Sequence, residues 1–305
     1  MTIKDFLKKI TPFRFKLRLI MQEIKVKLFP ATMSKRFYES IMHKPLNLDD
    51  PKDLDEKIHW LKIYSDTSMW PVLADKYRVR EYVKEKGLGH LLNKLYGVWK
   101  RPEDIDFDSL PSKFVLKLNN GSGDAVIVKD KSKIDQEAIR EKMKEGLKHH
   151  FGAYSVEPHY LKIPPRIIAE ELLEDKSVES FSRSLVDYKI WCFDGEPFVI
   201  LVAYDREIGT AHHYLDCYDL DWNRHLEFLN DQTERNPIPK PKNLDKMIEA
   251  ASILSKGYPQ MRVDFYDIDG DIRFGEITLT SAAGCMDYFT PELLLVMGEK
   301  CKIKK

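Results

Sequence analysis

One stretch of sequence, RVDFYDIDGDIRFGEIT at residues 262–278, decides the fold of this chain. Two runs rich in aromatic and β-branched residues flank an Asp-Gly pair, which is a strong signal for a tight hairpin turn. The stretch therefore predicts two antiparallel strands, Met261–Ile268 and Ile272–Thr278. We expect Gly270, in the loop between them, to adopt the left-handed conformation.

The register of this hairpin determines which polar side chains meet. Side chains along a strand alternate between the two faces of a sheet. With a three-residue loop at 269–271, Asp264 lies opposite Glu276 and Arg262 lies opposite Thr278, all on one face. A two-residue loop would shift the pairing by one residue and separate the two carboxylates. We therefore expect a loop of three residues, or of another odd number.

The two facing carboxylates, Asp264 and Glu276, are candidate metal ligands. Like charges that face each other across a strand pair repel, so the arrangement needs a neutralising partner. Magnesium is commonly bound by one or two carboxylates together with substrate phosphates. Alternatively, Arg262 pairs with both carboxylates in a purely structural network. The spacing alone leaves both interpretations open.

A second motif combines a lysine with a glycine-containing loop. Lys117 lies in a predicted strand, Lys113–Leu118, and the loop Asn119-Asn120-Gly121-Ser122-Gly123 precedes a returning strand, Ala125–Val128. Backbone amides in such a loop can hold phosphate oxygens, and a lysine supplies a charge for the same phosphates. The loop is neither a Walker A motif nor a dinucleotide fingerprint. Alternatively, it is an ordinary hairpin loop.

The rest of the chain predicts an α+β protein. A further hairpin is expected around Asp194-Gly195, between strands Val186–Phe193 and Pro197–Tyr204. Asn243 is placed to cap a helix that begins at Leu244. Hairpins, rather than regular strand–helix–strand crossovers, dominate the pattern.

Composition excludes several classes of protein. The chain has 305 residues, of which 43% are hydrophobic and 32% are charged. This is enough apolar material for a packed core, and it excludes a globally disordered protein. The 49 basic and 49 acidic residues cancel, whereas a dedicated nucleic-acid binder is usually basic. We expect no transmembrane helix and no signal peptide. Four scattered cysteines suggest a reducing compartment.

The N-terminus departs from this balance. Residues 1–36 contain ten basic and two acidic side chains, a net charge of +8. Apolar residues at helical spacing form one stripe before Pro12 and a second from Phe13 to Leu28. A basic amphipathic helix can lie on an anionic membrane surface. The alternative is a helix that packs on the body of the protein with its lysines in water.

Taken together, the motifs resemble the ATP-grasp superfamily, and more closely the TupA-like ATP-grasp proteins of bacterial surface-polysaccharide synthesis. The resemblance covers roughly residues 50–292. The motifs occur in the family's order: Leu54–Tyr64; Leu73-Ala74-Asp75-Lys76-Tyr77 with Arg80; Phe114–Gly123; Ala169-Glu170-Glu171-Leu172-Leu173; Asp187-Tyr188-Lys189 with Phe193-Asp194-Gly195; Arg262–Tyr266; Phe274–Thr278; and Ala283-Gly284.

The resemblance implies an ATP-grasp fold in which two α+β lobes hold ATP between them. We expect a basic amphipathic helical extension at 1–45 and a helical region at 46–112. The first ATP-grasp lobe, with the flap hairpin, is expected at 113–172. The second lobe, with the metal-site strands, is expected at 173–305.

The resemblance also implies a role for each site residue. Lys76 and Lys117 would contact the nucleotide phosphates, and Gly121, Ser122 and Gly123 would form the flap over them. Glu170, Glu171, Leu172 and Leu173 would form the hinge strand that reads adenine through backbone groups. Glu174 or Asp175 would take the ribose hydroxyls.

The metal and catalytic roles follow in the same way. Asp264 and Glu276 would hold Mg²⁺. Thr278 stands where most ATP-grasp ligases carry Asn, and its hydroxyl would be the third ligand. Arg262 would stabilise developing negative charge, and Lys189 would reach the γ-phosphate or the acceptor. Arg206 is a candidate for binding an anionic substrate, with Asp187 close to it.

The implied activity is an ATP-dependent carboxylate–amine ligase that forms an acyl phosphate. Its substrates would be an amino acid or peptide and a uronic-acid-containing polysaccharide or its precursor. It would act in the cytoplasm without nucleic acid, with residues 1–30 contacting the inner membrane. One alternative is a kinase of the same fold that phosphorylates a sugar hydroxyl. Others are a metal-dependent glycosyltransferase, whose usual short Asp-x-Asp motif has no convincing match here, and a non-catalytic nucleotide-binding scaffold.

Overall fold

A computed structural model describes residue 17 and residues 19–304, except for 122, 124, 150 and 208–212. The chain is α+β, as the sequence predicts. The helices are α1 (residues 19–28), α2 (Pro30–Met42), α3 (Leu54–Tyr64), α4 (Trp70–Leu73), α5 (Val79–Glu85), α6 (Gln136–Leu147), α7 (Leu244–Ser255) and α8 (Pro291–Lys300). Among the described helices, none is long and apolar enough to cross a membrane.

The strands form two antiparallel sheets. They are β1 (Leu95–Trp99), β2 (Phe114–Leu118), β3 (Val126–Val128), β4 (Ile167–Glu170), β5 (Asp187–Phe193), β6 (Glu196–Tyr204), β7 (Tyr214–Tyr218), β8 (Met261–Ile268) and β9 (Asp271–Thr278). The first sheet has the order β1-β4-β2-β3, and the second has the order β7-β6-β5-β8-β9. The lobe boundary predicted at residue 112 falls between β1 and β2, which both pair with β4.

Each sheet buries its own apolar cluster. In the first sheet, Phe114, Leu116 and Ile167 pack with Met143 of α6. The second sheet carries the larger cluster, which includes strand residues together with α3, α7 and α8. Side chains fix where helices start: the Asp53 carboxylate accepts a hydrogen bond from the Glu56 amide (2.8 Å) at the start of α3.

The β8–β9 hairpin corrects one prediction of the sequence analysis. The turn contains two residues, Asp269 and Gly270, because Ile268 pairs with Asp271. Both turn residues have positive φ, 50° and 94°, which suits a tight two-residue turn. The expectation of a three-residue loop was therefore wrong, although Gly270 is left-handed as expected.

Asp264 nevertheless lies opposite Glu276, because a β-bulge compensates for the shorter turn. Phe265 pairs with Phe274, but Asp264 pairs with Glu276, so Gly275 is an extra residue in β9. A Cβ atom at Gly275 would lie 3.0 Å from the Asp264 carbonyl oxygen and 3.3 Å from the Tyr266 ring. The bulge therefore requires glycine for close backbone approach, and it returns Glu276 to the face of Asp264.

Replacing Gly275 with valine is expected to destabilise the fold by about 1–3 kcal/mol, because added bulk must displace backbone in a packed region. Alanine at the same position should have a smaller effect in the same direction. Urea unfolding measures both variants. Unchanged stability of the valine variant would contradict a sterically required glycine.

Asn243 serves the turn and not the helix that it precedes. Its side chain makes no cap hydrogen bond to α7. Instead, its amide donates to the Asp267 carboxylate (3.0 Å) and to the Gly270 carbonyl (2.7 Å). The predicted cap was wrong, because the amide is used to hold the β8–β9 turn.

The segment that follows β9 is anchored by α3. The Lys62 ammonium donates to the Ala283 carbonyl (2.9 Å), and His59 Nε2 lies 3.1 Å from the Gly284 carbonyl. Both oxygens of the Asp55 carboxylate accept from the Met286 amide at 3.1 Å. Three side chains of α3 thus hold the segment that follows β9, the strand that carries the candidate metal ligand Glu276.

Asp55 makes stability depend on pH in an unusual direction. Burial, and next the neighbouring Asp53, raise the pKa of Asp55 to about 7. Between pH 4 and 7 the folded state therefore holds a proton that the unfolded state releases, so stability falls as pH rises through this window.

Replacing Asp55 with asparagine should remove this component, with a slope of at most about 1.4 kcal/mol per pH unit. Chemical unfolding of both proteins at several pH values measures the difference. The exposed Asp108→Asn variant is the matched control and should track the wild type. Parallel curves for Asp55→Asn and the wild type would contradict the prediction.

Candidate active site

A cleft of about 840 Å³ lies between the two sheets. The first sheet and the chain before it contribute Lys76, Lys117 and Glu170 to its walls, and the second sheet contributes Lys189 and Asp264. The other predicted site residues that line it are Gly123, Glu171, Leu172, Leu173, Glu174, Asp175, Asp187, Arg206 and Glu276. The cleft thus brings together residues that are distant in sequence.

The paired carboxylates lie at one end of the cleft and share a cation. The Arg262 guanidinium donates to both Asp264 oxygens at 2.7 and 2.8 Å, and the same Nη2 atom donates to Glu276 Oε1 at 3.0 Å. It also donates to the Thr278 hydroxyl at 2.9 Å. The four residues predicted to share a face therefore meet around one guanidinium.

Strand pairing explains a further contact at Asp264. Lys189 on β5 lies directly opposite Asp264 on β8. Its ammonium is 2.6 Å from Asp264 Oδ2 and 3.9 Å from the Asp187 carboxylate. Lys189, Asp264 and Glu276 thus form a row across three neighbouring strands, with one positive and two negative charges.

Cations hold Glu276 ionised. Burial by itself would raise its pKa, but Lys76, Arg262, Lys189 and Lys117 outweigh this effect and lower the pKa to about 2. For Arg262, burial would lower the pKa, but Asp264 and Glu276 raise it above its usual value. Glu276 therefore remains a carboxylate, and Arg262 a guanidinium, at any pH near neutrality.

The lysine of the glycine-loop motif lies against a buried acid. The Lys117 ammonium is 2.5 Å from Glu170 Oε2, and the Arg80 guanidinium is 3.2 Å from Glu170 Oε1. Arg80 also donates to the Asn93 carbonyl (2.7 Å). The Glu170 side chain, predicted only as part of a hinge strand, is therefore held between two cations.

Lys76 connects the two lobes. Its ammonium donates to the Gly121 carbonyl at 2.6 Å and lies 3.7 Å from Glu276 Oε2. Gly123 has a φ of 82°, as expected for a loop that requires glycine. Ser122, predicted as part of the flap, lies outside the described residues.

The segment after β4 follows the wall of the cleft. The Glu171 amide donates to the Lys94 carbonyl (2.9 Å), which ties the segment to the chain before β1. Leu172 and Leu173 then continue along the cleft wall. The predicted hinge residues are therefore at the cleft, but the expectation that they form a strand through Leu173 was wrong, because β4 ends at Glu170.

Arg206 and Asp187 lie together on the side of the cleft that the second sheet forms. Arg206 Nη2 is 2.8 Å from Asp187 Oδ2, and its side chain is half exposed. The charge of the nearby Asp187, and next burial, raise the pKa of Tyr266 far above its usual value. The phenol therefore stays protonated.

Sequence reasoning missed functions for Arg80, Tyr266 and Gly275. Tyr266 lies two residues after Asp264, so strand alternation places it on the same face and could have identified it. Arg80 is part of the quoted motif, but its partner Glu170 is distant in sequence. Gly275 could have been flagged, because an isolated glycine in a strand suggests a bulge.

The donor set fits a hard divalent cation. Asp264, Glu276 and Thr278 offer oxygen atoms close to one another, and the point that they share is held by the Arg262 Nη2 atom, as in the structural network that the sequence left open as an alternative. Magnesium needs few protein ligands when a nucleotide supplies phosphate oxygens. Within the described ranges there is no cluster of three or more His, Cys, Asp or Glu side chains that would form a metal site without a nucleotide.

Several solved structures of ligases resemble the chain at low sequence identity. D-alanine–D-alanine ligase from Bacillus anthracis, complexed with ATP, is 14% identical with a TM-score of 0.40; the match covers 68% of this chain and 55% of that one. L-amino acid ligase from Bacillus licheniformis is 12% identical with a TM-score of 0.44, covering 81% and 48%. D-alanine–D-alanine ligase from Helicobacter pylori is 13% identical with a TM-score of 0.43, covering 83% and 68%.

This chain thus spans about half of the length of the first two of these proteins. No curated protein sequence matches it significantly. The model of one protein family, described as TupA-like ATP-grasp, matches residues 56–302. Because that match includes the cleft, both sheets and the carboxylate pair, the chain belongs to the TupA-like ATP-grasp family and has the ATP-grasp fold.

Proposed function

We propose that this protein is an ATP-dependent ligase that joins a carboxylate to an amine. The substrate carboxylate attacks the γ-phosphorus of ATP, which releases ADP and forms an acyl phosphate. The amine then attacks the acyl carbon, the new C–N bond forms and phosphate leaves. The residues of the cleft supply positioning and charge stabilisation, which is what phosphoryl transfer requires.

One observation carries the proposal: four cations converge on the carboxylate end of a cleft between the two lobes. Lys76, Lys189 and Arg262 contact Glu276 or Asp264, and Lys117 lies close enough to lower the pKa of Glu276. Preorganised cations of this kind stabilise the charge that develops on a transferring phosphoryl group.

In this proposal the nucleotide occupies the cleft. Lys76 and Lys117 bind its phosphates, the loop 121–123 covers them, and the segment from Glu170 to Leu173 receives the adenine. Asp264, Glu276 and Thr278 hold Mg²⁺, which neutralises phosphate charge when it is bound. Arg262 faces the oxyanion of the acyl-transfer step.

We propose an amino acid or peptide and a uronic-acid-containing surface polysaccharide, or its precursor, as the substrates. The half-exposed Arg206 is suited to a carboxylate, because a guanidinium offers two parallel donors. Asp187 holds it in place through one contact of 2.8 Å. The protein would work in the cytoplasm, close to the inner face of the membrane where such precursors are assembled.

The test is magnesium-dependent release of ADP and phosphate from ATP, with a panel of amino acids in the presence and absence of uronic-acid acceptors. We expect ADP release that requires a carboxylate substrate and that hydroxylamine diverts to a hydroxamate. Glu276→Ala is the inactive control. ADP without free phosphate, together with a phosphorylated product, would instead identify a kinase.

A further inference from the structure

Helix α1 packs on the protein through one face only. Leu19 and Val26 are 8% and 0% exposed, and Gln22 Nε2 donates to the Ala153 carbonyl at 3.3 Å. These residues follow helical spacing and share one side of α1. The helix is therefore attached to the body of the protein.

The opposite side of α1 is a second apolar stripe that faces water. At 100° per residue, its members fall within an arc of about 100°. They are Leu17, Ile20, Met21, Ile24 and Leu28, which are 40–65% exposed. Together with Phe29, they are six of the fourteen large hydrophobic residues that are exposed among the described residues. This concentration marks an interaction surface, because scattered single residues are the usual pattern.

Lysines border the outward stripe on both sides. On the same helical projection Lys25 and Lys27 lie about 80° to either side of its centre, and both are exposed. Residues 1–36 carry +8 while the whole chain carries zero, so residues 37–305 carry −8. An anionic surface therefore attracts this end of the molecule and repels the remainder.

We infer that the outward stripe of α1 docks on an anionic lipid surface. The helix lies in the plane of the interface with Ile20, Met21 and Ile24 among the acyl chains. Lys25 and Lys27 extend past the stripe to the headgroups. Both N-terminal interpretations of the sequence thus apply, one to each face of the same helix.

The attachment point of α1 is linked by contacts to the chain that follows the carboxylate cluster. Ala153, which α1 contacts, is in the same segment as Glu157, and the Thr280 hydroxyl hydrogen-bonds to the Glu157 carboxylate. Thr280 follows Thr278 of the carboxylate cluster by two residues. A lipid-linked acceptor would therefore be presented near the site, a consequence that rests on the proposed function, whereas lipid binding itself does not require ATP.

The experiment is sedimentation of the full chain with vesicles of phosphatidylcholine alone or mixed with phosphatidylglycerol. We expect binding to the mixed vesicles that weakens as salt is raised. The pair Ile20→Glu and Ile24→Glu should reduce binding at least tenfold. The pair Leu295→Glu and Val296→Glu, at equally exposed apolar positions on α8, should leave it unchanged.

A second pair of variants tests the charge contribution without adding charge to the apolar stripe. Lys25→Gln with Lys27→Gln should weaken binding to the mixed vesicles by about fivefold per lysine. Absence of binding by the wild type, or equal losses from the α1 and α8 pairs, would overturn the inference.

Two further outcomes would also overturn it. A dimer in solution that the Ile20/Ile24 pair abolishes would assign the stripe to a second copy of the chain. A large fall in the Tm of that pair would mean that another segment of the chain covers the stripe. Because the vesicle assay contains no ATP, its failure would leave the ligase proposal standing.

Discussion

Replacement of Glu276 with glutamine is expected to reduce magnesium-dependent ATP turnover by about a hundredfold to a thousandfold. The side chain keeps its size, but it loses the charge that balances Lys76 and Arg262 and that would bind the metal. Turnover measured by ADP release, with titration of Mg²⁺, separates loss of the metal ligand from loss of ATP affinity. We expect the requirement for Mg²⁺ to rise as turnover falls.

Asp271→Asn is the matched control for this change. Asp271 is an exposed carboxylate at the other end of β9, so its variant should retain wild-type turnover. Glu276→Gln should also lose some stability, because the cations that lower the pKa of Glu276 to about 2 stabilise its charged form in the folded state. If Glu276→Gln kept more than about a tenth of the activity, the metal role proposed for the carboxylate pair would be wrong.

Replacement of Lys117 with methionine is expected to impair both stability and nucleotide binding. Glu170 is 5% exposed and would keep only Arg80 as a partner. Removing one partner of a buried ion pair costs about 3–5 kcal/mol when it leaves the other charge unpaired, but Arg80 still pairs with Glu170, so we expect only about 1–2 kcal/mol. Affinity for ATP should fall at least tenfold, because the proposed phosphate contact would be lost.

A second substitution tests whether Lys117 acts on ATP directly. Adding Glu170→Gln to Lys117→Met removes the acid but leaves Arg80 without its acidic partner, so neither the stability nor the affinity for ATP should recover. Lys133→Met is the control outside the cleft, since the exposed Lys133 pairs at 2.9 Å with Asp130 and should have little effect. Recovery of ATP binding in the double variant would show that Lys117 acts only through Glu170.

The β8–β9 hairpin shows where sequence reasoning reached its limit. Residue type and alternation predicted both strands and the shared face of Asp264 and Glu276. Turn length was wrong because the extra residue is at Gly275 in the strand and not in the loop. A bulge depends on close approach between two strands, here between Gly275 and the Asp264 carbonyl. The alternation of residue types along a strand does not predict where such an approach occurs.

The sequence also did not predict the partner of Lys117, because that contact depends on pairing between strands distant in sequence. Local pattern predicted the strand that carries the lysine, but Glu170 becomes its diagonal neighbour only when β2 pairs with β4. The contact between α1 and Ala153 is likewise formed by folding. The sequence predicted that α1 is amphipathic, whereas only the packing reveals which stripe remains exposed.

Lys76 links the loop that follows β2 to strand β9 of the second sheet. One ammonium group bonds to the Gly121 carbonyl of the first lobe and lies beside Glu276 of the second. Any anion that entered between them would compete with Gly121 for this ammonium. Lys76 would then hold the anion instead of the Gly121 carbonyl. The position of Gly121 would therefore depend on whether an anion occupies the cleft.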